Sequence, residues 1–292
     1  MADTQTGSTV PRRQLGRYLR DLRNAAGLTI RAAAKELERS EPTIWRIEAG
    51  QVPSRALDVE QMCRLYQATA EMTKALMALA RETKAKGWWQ AYGDVVPDWL
   101  DLYIGLEAAA NRIDWYESDL VPGLFQTEDY ARVVTRVHVP EAEDGEIDRR
   151  VQLRLGRQAI LRRPIDPPVL RVTLRETVLR AAVGGSEVMT AQFARLAEVA
   201  ELPNVSLRIL PLAAGMHSGM ISGAYEVLRF PLNGGGIESE PATVYSDLFA
   251  GALYLDKPSE VARYDQAFEE IWEASLDDEA SRELLHNSAE KP

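Results

Sequence analysis

The chain has 292 residues, a formal net charge of −10 at pH 7 and a single cysteine. This length allows two domains with separate hydrophobic cores, the acidic balance excludes a protein that coats nucleic acid over its whole surface, and one cysteine excludes a disulfide framework. No apolar run approaches the roughly 20 residues of a membrane span and we see no charged-then-apolar leader, so we expect a cytoplasmic protein without membrane contact.

The first 86 residues have the spacing of a helical bundle. Residues 1–11 are polar, so we predict a disordered tail. Residues 13–26 place apolar side chains at i, i+3, i+4 and i+7, and Gly27 ends the predicted helix. Two further apolar stripes follow Gly50. Together with the two short helices described next, they predict an all-α bundle of five helices.

Residues 27–50 predict two short helices joined by a tight turn. The facing sides of the two helices are small or apolar, with Ala33, Ala34 and Leu37 on the first and Ile44 and Ile47 on the second. Ser40 is a candidate N-cap. Pro42 fits the first turn of the second helix, where a missing N–H group costs nothing.

The outward residues of the second helix are candidates for reading DNA bases, because the N-terminal part of such a helix enters the major groove. These residues are Glu41, Pro42, Thr43, Trp45 and Arg46. The pattern therefore favours a DNA-binding protein. The alternative interpretation is an αα-hairpin without any DNA role.

This segment resembles the XRE (lambda-repressor-like) helix-turn-helix family, above all in the run Trp-Arg-Ile-Glu-Ala-Gly over residues 45–50. Glu38 stands where that family usually has a turn glycine, and we expect it to adopt the left-handed conformation at modest cost. The resemblance also implies a buried ion pair between Arg23 and Glu48, which would tie the first helix to the recognition helix. Two separate surface charges are the alternative.

Charge is distributed unevenly along the chain. Residues 1–86 contain 15 Lys and Arg against 10 Asp and Glu, a balance of +5, whereas the other 206 residues contain 19 against 34, a balance of −15. Cations that face DNA release condensed counterions, so we expect phosphate contacts from the N-terminal region. The candidates are Arg12, Arg13, Thr29, Arg31, Ser40 and Arg55.

The rest of the chain predicts helices followed by a mixture of strands and helices. Helical spacing is found over residues 99–117, 127–138 and 147–163. Strands are predicted over 169–174, 205–210, 224–230, 243–248 and 253–255, and further helices over 188–201 and 258–275. The predicted fold class is α+β: an N-terminal five-helix lambda-repressor-like bundle, then a larger domain of helices and an antiparallel or mixed sheet.

The run Leu-Val-Pro-Gly-Leu-Phe-Gln-Thr-Glu-Asp-Tyr-Ala over residues 120–131 resembles the C-terminal domain of actinobacterial XRE-type regulators of the WhiJ-like group. The order and spacing of later segments agree with that domain, from 183–185 to 254–258. The resemblance implies a developmental or antibiotic-production regulator. It also implies a small BldB-like partner protein, while the biochemical role of the C-terminal domain in that group is poorly defined.

No enzymatic activity is predicted. The three histidines, His138, His217 and His286, have no metal-ligand spacing, and neither a nucleophile elbow nor a phosphate-binding loop is found. We therefore expect no metal and no other cofactor.

Three residues of the larger domain are candidates for binding a partner protein or a ligand. His217 lies in a glycine-rich loop, where backbone can approach another molecule closely. Gln126 and Tyr130 fall in the run that carries the second resemblance. The alternative is structural: a hydrogen-bonded histidine in a strand connection, and capping or core packing for the other two residues.

The predicted segments are a disordered tail over 1–11, a helix-turn-helix DNA-binding domain over 12–86, a connecting helical region over 87–119, a C-terminal regulatory or interaction domain over 120–285 and a tail over 286–292. We predict a nucleoid-associated transcriptional regulator that binds double-stranded DNA as a homodimer on an inverted repeat. Its C-terminal domain is expected to bind a partner protein and support dimerisation. The alternative is a one-component regulator whose C-terminal domain senses a small molecule.

Overall fold

A computed structural model describes residues 10–82, 88–164, 166–232, 240–249 and 251–290. The chain divides into two compact units, which we call the N-terminal unit (Met1–Ala91 with Pro97–Ala109) and the C-terminal unit (Tyr92–Val96 with Ala110–Pro292). Most of the predicted N-terminal tail, and the last two residues of the predicted C-terminal tail, lie outside the described residues.

The N-terminal unit is entirely helical in its described part. Its α-helices are α1 (Val10–Ala25), α2 (Ile30–Glu36), α3 (Glu41–Glu48), α4 (Ala56–Leu65), α5 (Ala70–Glu82) and α6 (Asp98–Ala109). One core joins the first five helices, and it includes the apolar faces that the sequence predicts for α1, α2 and α3. The predicted α+β class, with a helical bundle first, is confirmed.

The turn between α2 and α3 has the geometry expected from the sequence. Thr29 and Ser40 cap the two helices, since their hydroxyl oxygens accept hydrogen bonds from the N–H groups of Ala32 and Thr43. Glu38 has a φ of 53°, so the left-handed conformation predicted for it is confirmed.

Two glycines allow α1 to lie directly against the end of α3. A Cβ atom on Gly16 would lie 2.6 Å from the Glu48 carbonyl oxygen, and one on Gly50 would lie 2.6 Å from the Arg13 Cα. Gly50 also has a φ of 67°, which favours glycine. A larger residue at either position would push the two helices apart.

The C-terminal unit contains a six-stranded mixed sheet and six α-helices in its described part. The strands are β1 (Arg112–Glu117), β2 (Val169–Arg175), β3 (Val205–Leu210), β4 (Tyr225–Arg229), β5 (Thr243–Leu248) and β6 (Gly251–Leu255). The helices are α7 (Glu128–His138), α8 (Asp144–Arg157), α9 (Ser186–Ala200), α10 (Gly219–Ser222), α11 (Pro258–Ala274) and α12 (Asp278–Glu290).

The strand order is β3-β2-β1-β4-β5-β6. β1, β2 and β3 are parallel to one another, whereas β4 pairs antiparallel with β1, and β5 and β6 continue antiparallel. On the side of the sheet that carries Tyr116, a core includes Tyr225, Val227 and the α11 residues Phe268 and Ile271. Because side chains alternate along a strand, Trp115 and Glu117 point to the opposite side.

The structure corrects three predictions from the sequence. The helix predicted over 99–117 ends at Ala109, and β1 follows it. Four consecutive β1 residues are buried, because the strand has neighbours on both edges and is covered on both faces, so it lacks the polar alternation of an exposed strand. The predicted connecting region 87–119 is divided between the two units. The predicted tail over 286–292 is helical as far as Glu290.

Candidate DNA-binding surface and C-terminal sites

The predicted base-reading residues lie on one side of α3. Ile44 and Ile47 are buried in the bundle, so the other face of the helix points to solvent. Glu41, Pro42 and Arg46 are exposed, Thr43 is half-buried, and the Trp45 side chain keeps 50% of its surface exposed. An exposed tryptophan beside an arginine, past the midpoint of a short helix, presents both stacking and hydrogen-bonding groups.

The polar groups at the start of α3 are already ordered. The hydroxyl oxygens of Ser40 and Thr43 are 2.8 Å apart, and the Thr43 N–H donates to Ser40 Oγ at 3.3 Å. Arg46 Nε donates to the Pro42 carbonyl oxygen at 3.3 Å, which keeps the guanidinium along the helix surface. These side chains stay accessible, because the hydrogen bonds are all at the exposed end of the helix.

A buried ion pair fixes α3 against α1. Arg23 Nε donates to Glu48 Oε1 at 2.7 Å and Arg23 Nη2 donates to Glu48 Oε2 at 2.8 Å. Arg23 Nη1 also donates to the Leu28 carbonyl oxygen at 2.7 Å, in the connection to α2. The hydrogen bonds with Glu48 raise the pKa of Arg23, despite the opposing effect of burial. The ion pair implied by the resemblance is confirmed.

The predicted phosphate-contacting residues divide into two groups. Thr29, Arg31, Ser40 and Arg55 are exposed, and Arg13 is half-buried. Arg12 is only 4% exposed, and burial lowers its pKa while the nearby Asp101 on α6 raises it. Arg12 is therefore too deeply buried to contact phosphate, which corrects its place among the predicted phosphate-contacting residues. The sequence could not predict this burial, since Asp101 belongs to a helix much later in the chain.

Gln126 and Tyr130 are buried and bonded within the fold. Gln126 Nε2 donates to the Val121 carbonyl oxygen at 2.7 Å, and Gln126 Oε1 accepts from Arg154 Nη1 at 2.7 Å. Tyr130 Oη accepts from the Val121 N–H at 3.2 Å. The two side chains thus hold the segment before α7 in place, as their structural interpretation predicts, and they present no polar group to solvent.

His217 lies elsewhere, against the Tyr116 side of the sheet. Its ring meets the Tyr116 ring edge-on, with 6.0 Å between centroids. Within the described part of the chain, its buried Nδ1 has no hydrogen-bond partner. Burial lowers the pKa of His217, and the Arg175 charge lowers it further. The charge of Glu117 contributes to raising the pKa of Tyr130, and Glu117 points to the side of β1 opposite to Tyr116. The structure therefore does not bring His217 together with Gln126 and Tyr130.

The Glu117 side of the sheet contains a cavity that the sequence did not indicate. It has a volume of about 330 Å³, and we call it the Trp115 cavity. Trp115, Glu226 and Tyr245 are directly opposite one another on β1, β4 and β5, so all three face the same way. Burial raises the pKa of Glu117 to about 8, although a hydrogen bond from Trp115 Nε1 opposes the shift. These residues are far apart in sequence, and only the strand register brings them together.

In the described ranges, no group of three or more His, Cys, Asp or Glu side chains could hold a metal ion. None of the helices within those ranges has the length and apolar character that crossing a bilayer requires.

Two different family models match the N-terminal and the C-terminal regions of the chain. A family model described as a helix-turn-helix domain matches residues 14–76, and one described as a domain of unknown function (DUF5753) matches residues 100–287. No curated protein and no solved structure matches the chain. The first match supports a DNA-binding regulator and covers α2 and α3, and the second covers well over half of the chain.

Proposed function

Because this chain belongs to the family defined by the domain of unknown function DUF5753 and carries a helix-turn-helix domain, we propose that it is a sequence-specific transcriptional regulator. The exposed face of α3 carries the proposal. Trp45 and Arg46 project from a helix that the Arg23–Glu48 ion pair holds in position. An arginine so placed can donate two hydrogen bonds to guanine in the major groove.

The regulator acts as a homodimer on an inverted repeat. One helix-turn-helix contacts only a short half-site, and two-fold dimers of such modules read half-sites about one helical turn apart. The exposed residues Thr29, Arg31, Ser40 and Arg55 would bind the flanking phosphates. The acidic balance of the C-terminal region keeps that region away from DNA, which supports a role for it in dimerisation instead.

The C-terminal unit binds a partner protein, and the resemblance implies a small BldB-like one of the kind associated with WhiJ-like developmental regulators. Support comes from the loop around His217, where large apolar side chains face solvent. Met216 is 72% exposed, Met220 is 51% exposed and Ile221 is 79% exposed. Apolar side chains grouped in this way are typical of protein interaction sites.

A second candidate for the C-terminal unit is the sensing of a small molecule. The Trp115 cavity favours it, since ligand sites are concave, have apolar or aromatic walls and place a few polar groups among them. Both roles leave the N-terminal unit as the reader of DNA.

Selection of binding sites from a pool of random DNA, with the full chain, tests the DNA-binding function. We expect enrichment of an inverted repeat with half-sites about 10 base pairs apart, centre to centre. Analytical ultracentrifugation of the complex should give two chains per site. The variant Arg46→Ala tests the base contact, and we expect it to enrich that repeat more weakly. Recovery of no preferred sequence would exclude sequence-specific binding, and one chain per site would exclude the dimer.

A further inference from the structure

We propose that the Trp115 cavity binds a small organic cation, one in which a protonated or quaternary amine is attached to an apolar body. The proposal names a ligand class for the sensing role given above, and only the regulatory consequence of ligand binding rests on that role. Binding itself is a property of the C-terminal unit and can be measured without DNA.

The floor of the cavity is aromatic and deeply buried. Trp115 and Tyr245 are each 4% exposed, and Glu226 lies between them in the register of the sheet. The face of an aromatic ring attracts a cation, most strongly when water is excluded. A ligand amine placed over this floor would meet two rings and the Glu226 carboxylate together.

The ionisable groups around the floor are mostly acidic. The cavity is lined by four carboxylates and one histidine, namely Glu117, Asp119, Glu226, Asp247 and His138. Glu117 accepts a hydrogen bond from Trp115 Nε1 at 3.1 Å. Carboxylates held near aromatic rings in this way favour a cationic ligand over a neutral or anionic one.

Two cations of α8 act on the cavity from outside its lining, and one of them, Arg157, acts on Tyr245 of the floor. Arg154 and Arg157 act on Asp247 from a distance, and His138 acts on it from the cavity wall. Arg154 donates to Gln126 Oε1, which directs its guanidinium toward the Gln126 segment. These charges offset part of the negative potential at Asp247. At Glu117, the neighbouring carboxylates Asp119 and Asp247 add to the effect of burial and raise the pKa further.

The rim of the cavity is apolar, which defines the rest of the ligand. Phe249 is 92% exposed, Leu248 is 55% exposed and Leu120 is 39% exposed, all at the cavity mouth. The Phe249 ring lies edge-on to His138, with 6.4 Å between centroids. A ligand with a hydrocarbon or aromatic body would cover these side chains while its amine reached the floor.

A bare metal ion fits this cavity poorly. Metal sites need several ligands that converge on one point, and no such group of three exists among the described residues. The carboxylates are instead spread over the walls around aromatic rings. The cavity volume of about 330 Å³ falls at the lower end of the range of about 300–1,000 Å³ for small-molecule sites.

Ionisation of Glu117 would couple binding to pH. Its pKa of about 8 means that the empty site holds a proton near neutral pH, and a bound cation would favour the ionised form. Tyr130, Asp119 and Asp247 also lie close enough to act on this carboxylate or to feel its charge. Cation affinity should therefore rise with pH up to about 8.

Isothermal titration with matched probes tests the proposal. We would compare 2-phenylethylammonium with the uncharged 2-phenylethanol and the anionic phenylacetate, and would use benzyltrimethylammonium for a pH series, since its charge is permanent. We expect the two cations to bind, the alcohol and the acid to bind at least about tenfold more weakly, and the affinity for benzyltrimethylammonium to increase between pH 6 and pH 8.5. Equal binding of the alcohol, or no cation binding at millimolar probe, would overturn the proposal.

Isosteric variants locate the site. Glu117→Gln and Asp247→Asn should each weaken cation binding about tenfold, and Glu117→Gln should also remove its pH dependence. Glu283→Gln, an exposed position on α12, is the control and should bind as the parent does. Asp247 is exposed, so its variant keeps the test valid if Glu117→Gln folds poorly. Unchanged binding in both variants would place the cation elsewhere. Operator binding, measured separately, shows whether the DNA-binding function fails by itself.

Discussion

Arg23 of α1 donates two parallel hydrogen bonds, of 2.7 Å and 2.8 Å, to Glu48 of α3, a residue 25 positions later in the sequence. Both side chains are almost fully buried. This pair, together with the bond from Arg23 to the Leu28 carbonyl oxygen, joins α1, the α1–α2 connection and the end of α3. One guanidinium therefore helps, together with the packed core and the close approach at Gly16, to hold α3 in its orientation against α1.

Arg23→Met should destabilise the N-terminal unit by about 3–5 kcal/mol, because it leaves the Glu48 carboxylate buried without a cation. Hydrogen exchange on the full chain, followed peptide by peptide, reports the opening free energy of α1 and α3 separately from that of the C-terminal unit. The double variant Arg23→Met/Glu48→Leu is the control and should recover much of the loss. A double variant as unstable as the single one would show that the geometry, rather than the buried charge, is what matters.

Arg46→Ala should lose about 1–3 kcal/mol of binding free energy on the selected operator and much less on random DNA, since a bidentate contact with guanine discriminates between bases. Arg31→Ala is the comparison. It should weaken binding to both DNAs by the same factor and reduce the slope of log affinity against log salt by about 1. Fluorescence anisotropy over a salt series measures both effects. Equal losses on the two DNAs for Arg46→Ala would reassign that side chain to phosphate.

Gly16→Ala should destabilise the N-terminal unit by about 1–3 kcal/mol, because the new methyl group would lie 2.6 Å from the Glu48 carbonyl oxygen. The displacement of α3 should also weaken operator binding. Gly145→Ala on α8 is the matched control: a Cβ there meets nothing within 4 Å, so we expect no loss of stability or a gain of about 0.5–1 kcal/mol. Thermal melts and anisotropy measure the two effects. A Gly16→Ala variant that melts and binds like the parent would disprove the close approach.

The N-terminal unit was largely predictable because its signals are local. The small residues of α2, the Ser40 cap and the left-handed Glu38 each act within a few positions, so they appear in the sequence as they do in the fold. The burial of Arg12 depends instead on α6, and the contact at Gly16 depends on the path of α3. Neither the burial of Arg12 nor the close contact at Gly16 can be predicted from the residues next to it in the sequence.

The C-terminal unit was less predictable because its central strand and its cavity are products of long-range pairing. Five strands were found where their alternation or composition predicted them. The spacing of the β1 residues predicts helix instead, because burial on both faces removes the alternation of an exposed strand. The Trp115 cavity depends on the register of β1, β4 and β5, which turns three unremarkable positions into neighbours. The sequence makes Gln126 and Tyr130 candidates for binding another molecule, but their hydrogen bonds lie within the fold.

His217→Gln should reduce the acid sensitivity of the C-terminal unit. The pKa of His217 is lowered in the fold, so below the ordinary value of about 6.5 the unfolded chain binds a proton that the folded chain resists. Stability from this group is complete above pH 6.5 and is lost as the pH falls. Between pH 7.5 and pH 5.5 the melting temperature should therefore fall more for the parent than for the variant. Equal falls would show that His217 is readily protonated in the folded chain.

Glu117→Gln should stabilise the C-terminal unit more at pH 8.5 than at pH 5, in the absence of any cation. The fold raises the pKa of Glu117 to about 8, so between roughly pH 4.5 and pH 8 the folded chain retains a proton that the unfolded chain releases. By linkage, this group makes the parent less stable as the pH rises through that window, and glutamine has no proton to release. Scanning calorimetry of parent and variant measures the difference in melting temperature at both pH values, with Glu283→Gln as the control. A difference that is the same at pH 5 and pH 8.5 would mean that Glu117 ionises normally, and the pH dependence proposed for cation binding would then lose its basis.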